Sequence, residues 1–150
     1  MRKLQYILFL IPVFLFVDLA HAGDKEDVLA TMDAIMGAWI AGDVDGARKH
    51  MLSRPKTFEA DGGLLSSMDF EAAKAGFAAG LKFNVKPAHS DVTIYGDAAV
   101  LTGYLMRQMT PPGGTLVTMT LRATVVFVKQ NGQWKGVHVH ASHLTPKNPE

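Results

Sequence analysis

Asn131-Gly132 sits between two long runs of alternating apolar and polar residues, Thr115–Lys129 and Gln133–His143. A two-residue Asn-Gly loop adopts the left-handed conformations of a hairpin turn whose twist matches that of paired strands, so the two runs fold back on one another antiparallel. Two further turn signals, Gly96-Asp97 and Pro111-Pro112-Gly113-Gly114, bracket runs near Ala88–Ile94 and Ala98–Met109 and extend the hairpin into a meander. A sheet of that size has two faces with period-two side chains, and the apolar face needs cover.

The cover comes from the first half of the chain. In DKEDVLATMDAIMGAWIAG the apolar residues Val28, Leu29, Met32, Ile35, Met36, Trp39 and Ile40 recur at helical spacing, with Asp24 as the expected cap and Gly42 beyond the end. Asp43 then caps an expected second helix carrying Val44, Ala47, Met51 and Leu52 on one side, until Pro55 stops it. Ser66-Ser67-Met68-Asp69 is a capping-box pattern for a third, with Phe70, Ala73, Phe77, Ala78 and Leu81 on one stripe. Helices first and long strands afterwards give an α+β domain, its N-terminal helices packed against a curved antiparallel β-sheet.

The ends of the chain bound this domain. Arg2 and Lys3, an apolar run from about Tyr6 to Val17, and Ala20-His21-Ala22 have the order of a secretory signal peptide with an A-x-A cleavage site. The run is shorter than the roughly 20 residues of a spanning helix, so it reads as cleaved rather than as an anchor. The expectation is a signal peptide over 1–22, one domain over 23–145 and a flexible tail over 146–150, in a periplasmic or secreted protein without membrane contact after cleavage. A formal net charge of +1 without a basic cluster argues against nucleic acid as a partner. The chain has no cysteine, which excludes thiol chemistry and thiolate-ligated metal and leaves stability to the core and to self-association.

Two segments carry a resemblance. TFEADGGLLSSMDF, with Phe58, Glu59, Gly63, Leu64, Met68, Asp69 and Phe70, and NGQWKGVHVHAS, with Gly132, Trp134, Val137, His138, His140 and Ser142, are similar to the association, or hub, domain of calcium/calmodulin-dependent protein kinase II. That places the chain near the NTF2-like superfamily, which also holds SnoaL-like cyclases and ketosteroid isomerases. The resemblance implies a cone in which the curved sheet wraps the first helix, leaves a pocket at its mouth and pairs with a second copy, as a homodimer or larger ring. Hub pockets hold small carboxylates with basic groups. Those positions fall here on Glu71, Met106, Val125 and Ala141, none of them basic, so that binding does not carry over.

Strand parity then separates the faces. The expected cavity side holds Thr102, Tyr104 and Met106, then Leu121, Ala123, Val125 and Phe127, then Val137, Val139 and Ala141, with Trp39 from the first helix. Such a cavity is apolar with one phenol, and it is either a packed core or a site for a small apolar ligand. The opposite face, with Leu101, Leu105, Arg107, Arg122, Trp134, His138 and His140, suits a dimer surface. Isomerase- or cyclase-like chemistry would need a carboxylate base and a donor, for which Glu59, Asp61 and Tyr104 are the candidates and Asp33 a more remote one. His138 and His140 share a face, but no third ligand is evident, so neither a metal nor a cofactor is expected. The main reading is a homo-oligomeric small-molecule binding or assembly module, and the alternative is an isomerase, cyclase or hydratase acting on a small apolar substrate.

Overall fold

A computed structural model describes residues 17–145, and side chains from residue 23 onward. The basic and apolar parts of the expected signal peptide and the expected tail lie outside the described residues. The helices are α1 (Val17–Ala41), α2 (Val44–Lys49) and α3 (Phe70–Ala78). The strands are β1 (Met51–Phe58), β2 (Ser66–Ser67), β3 (Lys82–Tyr95), β4 (Ala98–Thr110), β5 (Val117–Gln130) and β6 (Gln133–His143). They form one six-stranded sheet in the order β2-β1-β6-β5-β4-β3. The Asn131-Gly132 hairpin is present, with both residues at positive φ and β5 antiparallel to β6. Among the described residues no helix is long and apolar enough to cross a membrane.

Several local expectations change. Asp24 does not start the first helix. It lies inside α1 and its carboxylate receives Lys129 Nζ of β5, tying the helix to the sheet. Asp43 does cap α2, accepting from Gly46 N at 2.8 Å, but the helix stops at Lys49. Met51 and Leu52 belong instead to β1, which runs through Pro55 and lies parallel to β6. The sheet is therefore not purely antiparallel. Pro55 is tolerated because β1 pairs with β6 only at Met51 and from Lys56 onward, so the missing N–H breaks no rung. Ser66-Ser67 forms β2 rather than a cap. Asp69 caps α3 alone, accepting from Ala72 N at 2.9 Å.

Two register features decide which side chains look inward. Partners across an antiparallel ladder share a face. Leu101 pairs with Val125, Leu105 with Leu121 and Arg107 with Met119, so these β4 residues face the helices together with the buried residues of β5. This reverses the expected parity of β4. Between β5 and β6 the register shifts at Val126/Phe127, where Val137 is the unpaired extra residue. The bulge puts Trp134 on the inner face along with Val139 and Ala141, although its position number has the other parity. The core that results includes Val28 and Ile35 of α1, Phe70 of α3, and Leu101, Val125, Phe127 and Trp134 of the sheet.

Candidate functional site

A cavity of about 290 Å³ lies between α1, α3 and the inner face of the sheet. Met32, Met36 and Trp39 line it from α1 because they follow one helical stripe, and Ala73 and Phe77 line it from α3 for the same reason. The sheet supplies Leu105, Arg107, Leu121, Val125, Val139 and Ala141. Trp39 anchors one end, stacked on Phe70 and Phe77 with centroids 6.4 and 6.2 Å apart and tilted against Phe83 at 6.5 Å. Gly42 closes α1 at φ +72°, and a Cβ there would come within 3.2 Å of the Phe77 ring, so the helix turn and the aromatic end are built together.

The polar part of this cavity is a pair of opposite charges. Arg107 Nη1 is 3.6 Å from Glu59 Oε2, and the two side chains are 19% and 47% exposed. Thr57, itself buried, donates from Oγ1 to Glu59 Oε1 at 2.9 Å and so fixes the carboxylate just past the end of β1. Arg107 Nη2 points at Met119 Sδ, 3.6 Å away, a weak acceptor. Arg107 Nε is buried and has no hydrogen-bond partner among the described residues. A guanidinium that is mostly withdrawn from water and incompletely bonded is costly unless something completes it. Asp69 also borders the cavity, but its carboxylate is committed to the α3 cap.

Of the residues singled out in the sequence, Trp39, Glu59, Val125, Val139 and Ala141 line this cavity together. Tyr104 and Met106 do not. They stand on the outer face, 41% and 45% exposed, with the Tyr104 ring edge-on to His89 at 6.2 Å. Asp61 is an exposed turn residue whose Oδ1 accepts from Gly63 N at 2.9 Å, and Asp33 lies on the exposed side of α1. Arg122, His138 and His140 face outward, where both histidine rings meet Phe58 edge-on at 5.8 and 5.5 Å. Trp134 is only 3% exposed and belongs to the core, so it is not part of that surface. Among the described residues no three His, Asp or Glu side chains are grouped to hold a metal ion. The cavity is also not purely apolar. Arg107, expected on the outer face, points inward, and the signal for this is the Leu101 and Leu105 spacing, which aligns β4 with the buried alternation of β5.

A wider surface groove of about 540 Å³ runs between α1 and the β5–β6 turn, lined by Asp27, Thr31, Lys49, His50 and Lys135 among others. It has no comparable enclosure by apolar side chains.

The family model described as the SnoaL-like domain matches residues 28–146. The chain belongs to the SnoaL-like family. Solved structures similar to this SnoaL-like domain share its fold at low identity. An NTF2-like superfamily protein from Salmonella enterica is 18% identical, with 85% of this chain and 96% of that chain covered and a TM-score of 0.71. A provisionally named dehydratase of the NTF2-like family from Streptomyces avermitilis is 20% identical, covering 81% and 96%, with a TM-score of 0.69. The association domain of the C. elegans calcium/calmodulin-dependent kinase II is 21% identical, covering 82% and 98%, with a TM-score of 0.65. No curated protein sequence matches the chain.

Proposed function

We propose that this SnoaL-like domain is an exported small-molecule binding module whose ligand enters the cavity between α1, α3 and the sheet. The observation that carries the reading is the Arg107–Glu59 pair set into a largely apolar cavity of about 290 Å³. An apolar wall with few placed polar groups is the usual composition of a ligand site, and this volume suits a small ring compound rather than a large one. The test is a thermal-shift series with small neutral ring compounds. The melting temperature rises with the logarithm of concentration for those that enter. A flat response to every compound at millimolar concentration refutes the reading.

Self-association through the outer sheet face is the second part of the proposal. Phe58, Tyr104 and Met106 are exposed there beside Arg122, His138 and His140, a mixture of apolar, aromatic and arginine groups suited to an interface. The kinase association domain among the similar structures supports it as analogy. Acid–base catalysis is the alternative, favoured by one observation: Glu59 stands at the cavity with Oε2 outside any hydrogen bond among the described residues. That alternative requires turnover to be lost in Glu59→Gln while binding persists.

A further inference from the structure

The Arg107–Glu59 pair is not closed, and that determines what it recognises. At 3.6 Å the Nη1 to Oε2 separation is beyond hydrogen-bond length, so the two groups attract but do not satisfy each other. On the arginine, Nε has no partner and Nη2 only a thioether among the described residues. On the glutamate, Oε1 is taken by Thr57 and no hydrogen bond among the described residues uses Oε2. Nη1 and Oε2, neither in a hydrogen bond among the described residues, thus stand side by side at the wall of a largely apolar cavity. The pair is electrically balanced, so a bound anion would face the Glu59 carboxylate as closely as the Arg107 guanidinium.

A single group that both accepts and donates fits this arrangement. A hydroxyl oxygen at about 2.8 Å from each of two atoms spans a gap of this size, accepting a hydrogen bond from the guanidinium N–H and donating its own O–H to the carboxylate. The remainder of the ligand would lie along Leu105, Val125, Val139 and Ala141 toward the aromatic end at Trp39, which favours a flat ring. Resting on the binding reading above, we infer that the cavity selects small neutral ring compounds bearing a hydroxyl, phenols above all, and that Glu59 and Arg107 are the residues that read the hydroxyl. This differs from a site for carboxylates, which would put unopposed basic groups at that wall.

The test uses four matched probes with the full protein as purified: 4-ethylphenol, 4-ethylanisole, ethylbenzene and 4-ethylbenzoate, titrated by calorimetry or by ligand-observed NMR. The phenol is expected to bind roughly tenfold to a hundredfold more tightly than ethylbenzene, the range of one hydrogen-bonded group with charged partners. The anisole, which accepts but cannot donate, should fall between them. Arg107→Met and, independently, Glu59→Ala should reduce the phenol's advantage over ethylbenzene, measured in the same variant, to about twofold. Glu59 is half exposed, so its variant folds even if the arginine variant does not. Equal binding of phenol and ethylbenzene overturns the hydroxyl inference and leaves the binding module standing. Tightest binding by the benzoate overturns it in favour of an anion site. Failure of all four to bind overturns the inference together with the reading beneath it.

Discussion

Truncating Trp134 separates the two faces of the sheet more sharply than any other single change. Its side chain is 3% exposed, packed in the cluster with Val28 and Phe127, and the Lys129 ammonium lies 5.4 Å from its ring. Trp134→Ala therefore opens a cavity in the main core, which costs about 3–5 kcal/mol. Loss of the cation–π contact adds about 0.5–1 kcal/mol at a partly exposed lysine. For a domain of this size that corresponds to a fall of roughly 10–20 °C in melting temperature. Trp134→Phe is the control. It keeps most of the apolar volume and removes the buried indole Nε1, which has no hydrogen-bond partner among the described residues and whose desolvation costs about 1–3 kcal/mol. The two effects oppose each other, so Phe should stay within about 1.5 kcal/mol of the parent. Urea denaturation followed by circular dichroism measures both variants at several protein concentrations. The loss in the Ala variant should not depend on concentration. A loss below about 1 kcal/mol, or one that vanishes on dilution, refutes the inward placement and returns Trp134 to an interface.

Two further outcomes follow from the structure. At Gly103 an added Cβ would come within 3.3 Å of the Ala88 carbonyl oxygen and Ser90 Cα at the β3 bulge, backbone atoms that cannot swing aside, so Gly103→Ala should cost about 1–3 kcal/mol in the same denaturation assay; an unchanged midpoint would mean the bulge gives way. The surface pair Lys74–Asp45, 2.8 Å apart, should show its charge through pH. The hydrogen bond from Lys74 holds the Asp45 carboxyl below its ordinary 3.8, and the same bond raises Lys74 above its ordinary 10.5. The Asp45 contribution is present above 3.8 and is lost as pH falls through the lower folded value. The Lys74 contribution is present below 10.5 and is lost as pH rises through the higher folded value. Lys74→Met should therefore lower stability slightly at neutral pH and not at all once Asp45 is protonated, and a loss of the same size in strong acid would show that the pair is not its cause.

What could be read from the chain itself was whatever depends on neighbours in sequence. The Asn131-Gly132 turn, the stripe from Val28 to Trp39, the Asp43 cap and the inward alternation of Leu121, Ala123, Val125 and Phe127 are local consequences of backbone preference and hydrophobic period, and the two quoted segments were enough to place the fold. Trp39, Val125, Val139 and Ala141 were legible as cavity residues on the same grounds, and Glu59 only as a candidate carboxylate base. Packing decided the rest. Met51–Phe58 carries too weak a period to announce a strand, and only pairing with β6 makes it one. The phase of β4 depends on its register against β5, a long-range pairing that single-strand parity cannot reach, and this moved Tyr104 and Met106 outward and Arg107 in. The bulge at Val137 shifts every later residue of β6 by one face relative to Trp134, since strand period is two and one extra residue inverts it. The charge pair that gives the cavity its chemistry exists only because the end of β1 and the C-terminal part of β4, far apart in sequence, are brought to the same wall by the curved sheet.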